Sequence, residues 1–145
     1  MPQGYPDFFG TQTFSKLGAY SEHVALLSEI ADTVKATVFN LEAKALIYSL
    51  YLQISNLPAL DPVDVILTID GDSILSHTLE TLFERNWCVP HGFPLIISRW
   101  DVVAKDLSFV GASGITISSS FKLELDNDSG GDIFVDGAIH YASVI

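Results

Sequence analysis

The sequence predicts an all-β protein: a single antiparallel β-sandwich or jelly-roll-like domain with one short helix and an extended N-terminal arm. The first observation is the length of 145 residues, which fits one domain. The second is a series of stretches in which apolar and polar residues alternate, the pattern of half-buried strands. The third is the Gly, Pro, Asp and Asn clusters that separate these stretches at intervals of about 8–12 residues.

Composition supports a packed domain and excludes some classes of binding partner. Hydrophobic residues make up 48% of the chain and the mean hydropathy is +0.35, which excludes a disordered protein. The 18 acidic and 7 basic residues give a net charge of −11. Because the bases are few and scattered, nucleic acid and anionic membrane surfaces are not expected partners.

No membrane insertion, signal peptide or disulfide is expected. The chain has no run of about 18 apolar residues, and its start lacks the basic and apolar regions of a signal peptide. Cys88 is the single cysteine, so an intrachain disulfide is impossible. This fits a reducing compartment, or indifference to redox state.

Residues 1–20 are interpreted as an extended arm and residues 21–145 as the sandwich domain. The arm combines prolines and glycines with aromatic residues that follow neither helical nor strand spacing: Tyr5, Phe8, Phe9, Phe14 and Tyr20. So many aromatic residues predict that the arm lies along a surface, its own or that of a neighbouring chain. A frayed terminus is the alternative.

Residues 21–41 predict a hairpin with a strand near 23–30, a turn at Ala31–Asp32 and a second strand at 33–41. The β-branched, alternating composition after residue 32 favours strands. An amphipathic helix over 22–36 is the competing interpretation, because apolar residues also recur at helical spacing. They are Val24, Leu27, Ile30, Val34 and Val38.

The middle of the chain gives clearer patterns. Residues 45–55 alternate as a half-buried strand. Strands at 63–69 and 73–79 flank Asp70-Gly71, which predicts a type I′ hairpin turn because both positions need positive φ. The short helix is predicted at 79–87. A loop follows at 90–94, and the later strands are placed at 95–103, 106–110, 115–126, 133–135 and 138–144, roughly eight to ten strands in all.

The segment Asp126-Asn127-Asp128-Ser129-Gly130-Gly131-Asp132 is the one candidate metal site. Carboxylates of Asp126, Asp128 and Asp132 at nearby positions supply oxygen ligands of the kind that calcium prefers. The segment departs from an EF-hand: its fifth position is glycine, no Glu stands at the twelfth, and no helices flank it. A solvated hairpin loop explains the same composition. No other cofactor is indicated.

Other combinations have the residue types of catalytic sites but not their patterns. The Cys-x-x-His pair lacks the second pair that a structural zinc site needs. No Gly-x-Ser-x-Gly motif supports a serine nucleophile. Paired glutamates on a short helix are typical of a solvated face, and a local ion pair explains Arg99 and Asp101. The combinations are Cys88 with His91, His77 with Asp101 and a serine, and Glu80 with Glu84.

The excess of apolar residues predicts assembly. In the strand at 45–55, Ile47 and Tyr51 fall on the side that should be polar. Obligate interfaces resemble a domain core cut in half, so outward apolar residues indicate contact with other chains. We therefore expect a homo-oligomer in which the arm reaches a neighbour.

Two stretches carry a family resemblance. Residues 65–75, VILTIDGDSIL, and the closing residues 133–144 follow the aromatic arm in an order that resembles small single-domain structural proteins of bacterial or archaeal viruses. The resemblance implies a jelly-roll or sandwich fold. It also implies a non-enzymatic capsid, decoration or vertex subunit that is assembled with other virion subunits in the host cytoplasm and resides in the virion. No functional residue follows from it.

A different class of function stays open. A β-sandwich that binds carbohydrate or peptide would use exposed aromatic residues for stacking, and its acidic loops would hold calcium. The candidate aromatic residues are Trp87, Trp100 and Tyr141. A small enzyme in a β-barrel, such as an isomerase, is the third class.

Overall fold

A computed structural model describes residues 17–85, 95–111 and 114–144, which form eleven strands and one helix. In chain order the strands are β1 (Leu17–Val24), β2 (Glu29–Ile30), β3 (Val34–Leu41), β4 (Ala45–Ser55), β5 (Val63–Ile69), β6 (Asp72–Thr78), β7 (Leu95–Asp101), β8 (Asp106–Gly111), β9 (Ile115–Ile117), β10 (Phe121–Asn127) and β11 (Ile133–Val144). The helix, α1 (Leu79–Arg85), lies between β6 and β7. Within these residues no helix is long and apolar enough to span a membrane.

The strands form two antiparallel sheets. The larger sheet has the order β1-β11-β4-β8-β7, with β2 also paired to β11 and β9 to β4. The smaller sheet has the order β3-β10-β5-β6. The chain crosses between the sheets from β2 to β3, β3 to β4, β4 to β5, β6 to β7, β9 to β10 and β10 to β11, as in a double Greek key. The predicted all-β sandwich of jelly-roll type with one short helix is confirmed.

The core lies between the sheets and follows from alternation along the strands. In β10, Phe121, Leu123 and Leu125 are fully buried while the residues between them are not. Leu123 lies opposite Leu67 in the neighbouring strand β5. The larger sheet contributes alternate residues of β4, β8 and β11 to the same core. Removing this apolar surface from water is the main stabilising contribution to folding.

Two local predictions are confirmed. The strand predicted at 45–55 is β4, with the same bounds. Asp70 and Gly71 have φ values of 54° and 84° between β5 and β6. Positive φ at both central residues is what a type I′ turn requires, and Asp-Gly satisfies it at low cost.

The predicted hairpin of residues 23–30 with 33–41 is wrong, and so is the alternative helix over 22–36. β3 pairs with β10 in the smaller sheet, whereas β1 and β2 pair with β11 in the larger sheet. β2 and β3 are consecutive strands that belong to opposite sheets. The apolar residues of both strands therefore face one core without the strands pairing, and local alternation does not distinguish the two arrangements.

Other boundaries differ from the predictions. The strand expected at 115–126 is divided into β9 and β10, which belong to different sheets. The two strands expected at 133–135 and 138–144 are one continuous strand, β11. Residues 17–20, which the sequence analysis assigned to the arm, lie in β1, so residues 1–16 of the arm fall outside the described residues.

Asp70 connects two turns at one end of the sandwich. Its carboxylate accepts hydrogen bonds from the backbone N–H groups of Ser119, Ser118 and Ser120 at 2.7, 2.9 and 3.1 Å. These bonds, with that from Ser119 the largest contributor, lower the pKa of the Asp70 carboxyl. The carboxylate thus holds the β5–β6 turn against the connection between β9 and β10.

Asn127 connects elements at the opposite end and is the one buried polar side chain among the described residues. Its Nδ2 donates to the carbonyl oxygens of Ile30 and Gly131 at 3.0 and 2.9 Å, and its Oδ1 accepts from the N–H of Ser129 at 3.1 Å. Because every polar atom of the amide is paired, its burial is tolerated. The amide fixes the β10–β11 loop against β2.

We expect Asn127→Asp to lower the free energy of unfolding by about 3 kcal/mol, because a buried carboxylate would face two carbonyl oxygens that lose their donor. Urea unfolding measures this change. Asn56→Asp is the matched control, since the exposed Asn56 amide donates to the carbonyl oxygen of Asp132 at 2.7 Å. Equal losses in the two variants would contradict the role assigned to the buried amide.

We expect Asp70→Asn to lower the free energy of unfolding by about 1 kcal/mol at neutral pH, a small value because the carboxylate is exposed. The folded state lowers the pKa of Asp70 below its ordinary 3.8. The charged group therefore stabilises the protein above that pH, and this contribution disappears as the pH falls through the lowered pKa. Urea unfolding of the wild type and of Asp70→Asn from pH 7 to pH 2 should show that the difference between their free energies of unfolding decreases toward zero. Asp72→Asn, at an exposed site two residues away, is the control, and a constant difference for Asp70→Asn would refute this account.

Candidate functional site

One sheet surface carries half of the exposed large hydrophobic residues. The face of the larger sheet that points away from the core, here called the outer sheet face, carries six of the twelve exposed large hydrophobic residues found among the described residues. They are Tyr20, Val24, Tyr48, Tyr51, Val110 and Phe134. Apolar groups concentrated on one face are typical of surfaces that contact other molecules.

Strand register brings these residues together. Tyr51 points outward because Leu50 and Leu52 on either side of it point into the core. Val110 of β8 lies directly opposite Tyr51 on one side. On the other side Ala138 of β11 lies opposite Tyr51, and Val24 of β1 lies opposite Ala138. A row of apolar residues therefore crosses four strands.

Aromatic rings cover the neighbouring part of the outer sheet face. The Tyr20 ring stacks on the His140 ring with centroids 5.8 Å apart and an interplanar angle of 6°. Tyr48 lies 5.8 Å from Tyr20, and Tyr51 lies 6.4 Å from His140, again between ring centroids. Two tyrosine rings thus contact the His140 ring, and the third contacts Tyr20. Tyrosine combines a large apolar ring with a polar hydroxyl group, which suits it to protein interfaces.

A hydrogen-bonded chain of polar groups runs beneath these rings. His140 Nε2 lies 2.8 Å from Glu22 Oε2, and His140 Nδ1 lies 3.0 Å from Ser49 Oγ. The three residues are directly opposite one another on β1, β11 and β4. The polar groups of this row therefore bond to one another across the sheet.

The Ser–His–Glu chain has the residue types of a hydrolase triad, but its surroundings differ. A hydrolase also needs backbone donors aimed at a developing oxyanion beside the nucleophile. Ser49 instead lies in the extended backbone of β4, opposite His140 of β11, and not at a strand end or helix N-terminus where backbone N–H groups could point together at an oxyanion. The arrangement acts as a clamp across three strands. No local sequence pattern predicts this chain of side chains, because only the register of three strands brings them together.

The structure separates the predicted His77–Asp101 combination. His77 lies on β6 of the smaller sheet and Asp101 lies at the end of β7 in the larger sheet. The predicted ion pair within β7 is confirmed, with Arg99 Nη2 3.2 Å from Asp101 Oδ2. Cys88 and His91 lie outside the described residues.

The three predicted calcium ligands occupy different environments. Asp126 lies in β10, opposite Lys35 and Asp64 of the adjacent strands. Asp132 accepts a hydrogen bond from the Asp32 N–H at 3.3 Å, and its hydrogen bond with Glu29 raises the pKa of the Glu29 carboxyl. Within the described ranges no three acidic, histidine or cysteine side chains group as a metal site. The calcium site at Asp126, Asp128 and Asp132 therefore stays a prediction.

A groove lies at the end of the sandwich that holds the β10–β11 loop. This loop-end groove has a volume of about 420 Å³ between the β4–β5 loop, α1 and the end of β7. Its lining combines two aromatic rings with three carboxylates and apolar groups: Pro58, Ala59, Leu60, Asp61, Glu80, Phe83, Glu84, Trp100 and Val102. Glu80, Phe83 and Glu84 share one face of α1 because they are three and four residues apart.

The aromatic residues predicted to stack on a ligand have different positions. Trp100 lines the loop-end groove and also packs against the core. Tyr141 is half-buried against the core from β11. Trp87 lies outside the described residues.

Comparison with known proteins shows similarity in fold alone. No protein-family model and no curated protein matches this chain. The major capsid protein P2 of bacteriophage PM2 superposes with a TM-score of 0.51 at 12% identity, over 86% of this chain and 52% of that protein. This chain therefore spans about half the length of that capsid protein.

Structures that align with lower TM-scores come from different kinds of protein. The cyanophage Pam1 capsid aligns with a TM-score of 0.43 at 16% identity, over 86% of this chain and 81% of that one. The VP2 subviral particle of infectious bursal disease virus aligns with a TM-score of 0.45 at 15% identity, over 87% of this chain and 32% of that chain. An Aeromonas sobria serine protease complex also aligns, with 0.41. At these scores the alignments do not bear on function. The chain thus has a jelly-roll fold similar to that of the PM2 capsid protein, and the predicted resemblance to viral structural proteins is confirmed for the fold.

Proposed function

We propose that this protein is a non-enzymatic structural subunit of a virus particle, a capsid, decoration or other virion protein that works through contacts between copies. The observation that carries the proposal is the outer sheet face with its six exposed apolar side chains. The fold similarity to the PM2 capsid protein supports it. Its partners would be further copies of itself and other virion subunits, and its location the virion assembled in the host cytoplasm.

The polar groups of the outer sheet face suit burial in an interface. Glu22, His140 and Ser49 already bond to one another. A partner that covered them would therefore not leave these three groups without hydrogen-bond partners, which offsets part of the cost of removing them from water. The tyrosines and valines around them would supply about 25 cal/mol of stabilisation for each Å² of apolar surface removed from water.

The arm is the proposed connector between copies. Residues 1–16 immediately precede β1, which is an edge strand of the larger sheet. Fully extended, 16 residues span on the order of 50 Å, enough to cross a neighbouring domain of this size. Apolar contacts by Tyr5, Phe8, Phe9 and Phe14 with a neighbouring copy would give the arm a defined position. We propose that the arm clasps an adjacent subunit.

We expect the double variant Tyr51→Ser, Val110→Ser to shift the protein toward smaller assemblies, because it removes the centre of the apolar row. Light scattering coupled to size exclusion measures the native mass at micromolar concentration. The matched control is Ile74→Ser, Val103→Ser, at residues 45% and 89% exposed elsewhere on the surface. A wild-type protein that is monomeric under these conditions would refute the proposed function.

Removal of residues 1–16 should also reduce the native mass while leaving the thermal unfolding of the domain nearly unchanged. The expected reason is loss of the contacts between the arm and the neighbouring copy. A full-size assembly formed without the arm would contradict the clasp and leave the outer sheet face as the interface.

The predicted calcium site has a direct test. Addition of millimolar calcium should raise the melting temperature if Asp126, Asp128 and Asp132 bind the ion, because a ligand that binds only the folded state stabilises it. The triple variant with Asn at these positions should lose the increase, and magnesium serves as the ion control. An unchanged melting temperature in calcium would remove the site.

A further inference from the structure

We infer that the loop-end groove binds a basic side chain, Arg or Lys, presented by a segment of a partner protein. The groove is distinct from the outer sheet face, so the inference does not depend on the proposed assembly function. Three elements bring its groups together: the β4–β5 loop with Asp61, helix α1 with Glu80, Phe83 and Glu84, and β7 with Trp100.

Charge is the first argument for a cationic occupant. Among the residues that the structure describes, the lining includes the carboxylates Asp61, Glu80 and Glu84 and no basic residue. In the part of the chain that the structure describes, none of the three forms an ion pair; the bases that do are Arg99, Lys122 and His140, with other acids. A cation in the groove would relieve the mutual repulsion of these carboxylates and bond to them directly.

The aromatic rings indicate which kind of cation fits the groove. Trp100 and Phe83 line the same groove as the carboxylates, and Phe83 is 41% exposed. An aromatic face attracts a guanidinium or ammonium group, most strongly for tryptophan, and also packs against the alkyl stem of such a side chain. A metal ion would prefer a shell of oxygen ligands without rings. Ring and carboxylate together therefore favour an organic cation.

The size and position of the groove fit a side chain that belongs to a larger partner. A volume of about 420 Å³ is within the usual range for ligand sites and exceeds one Arg side chain, which leaves room for flanking residues. The connections at this end of the sandwich carry further exposed or half-buried acids: Asp32, Asp106, Asp128 and Asp132. Lys35, Arg85, Arg99 and Lys105 are the bases nearby. Together with the three carboxylates of the groove these acids number seven against four bases, an excess that would attract a basic segment before it docks.

Fluorescence of Trp100 tests the inference in a Trp87→Phe background, where Trp100 is the single tryptophan. Titration with a capped hexa-arginine peptide should give a saturable change. The double variant Glu80→Gln, Glu84→Gln should weaken binding at least about 10-fold, because two charge contacts are lost. Phe83→Ala should weaken it as well. Calorimetry on the otherwise unchanged protein repeats the measurement in case Trp87→Phe disturbs the fold.

The control removes two charges elsewhere. Glu42→Gln, Asp72→Asn changes exposed acids at the opposite end of the sandwich and should leave the affinity within about 2-fold. Equal weakening by both double variants would show general attraction of a basic peptide to an acidic protein and would overturn the inference. Absence of saturable binding would overturn it too. So would saturable binding of a neutral oligosaccharide in place of the peptide, since that would assign the groove to sugar.

Discussion

The pairing of β4 with β11 is the constraint on which the rest of the molecule depends. Ten residue pairs join these strands at the centre of the larger sheet, from Phe134 opposite Ser55 to Ser143 opposite Ala45. Gly137 makes the close approach of the two strands possible, because a Cβ at this position would collide with the Tyr51 carbonyl oxygen and the Leu52 Cα.

One face of these two strands packs into the core, and the other face is exposed. Leu52 and Ile139 enter the core, whereas Tyr51 and His140 form the outer sheet face. A change in register by one residue would exchange these faces, so the core and the candidate interface are specified together.

The sequence predicts the fold class because its strongest patterns are local. The alternation in β4 and the Asp70-Gly71 turn each depend on neighbouring residues, and both are confirmed. Strand partners depend on crossings between the sheets, which no short pattern encodes. The predicted hairpin failed for this reason: the apolar residues around Ile30 and Val38 were assigned to one pair of strands although they pack into the core from different sheets.

The candidate site depends even more on contacts between distant residues, which local sequence patterns do not predict. The alternation in β4 predicts that Ile47 and Tyr51 both lie outward. Tyr51 does, but the prediction for Ile47 is wrong: it is fully buried in the core, because the register of β4 with β11 shifts between the partners of His140 and Tyr141. Glu22, Ser49 and His140 lie 27 and 91 residues apart along the chain, so only the register of three strands brings them together. The spacing of Glu80 and Glu84 predicts a solvated helix face. The tertiary position of α1, which the sequence does not predict, makes both residues line the loop-end groove together with Trp100.

The two surfaces of this molecule are chemically different, and the difference decides what each is suited to bind. On the outer sheet face the polar groups bond to one another, so apolar contact with a similar surface leaves little charge unpaired. In the loop-end groove Asp61, Glu80 and Glu84 form no ion pair with any described base, so an apolar partner would bury carboxylates without compensation. The jelly roll therefore separates an apolar surface from an acidic groove, and this difference is the reason that we propose a further copy as the partner of the first and a basic segment as the partner of the second.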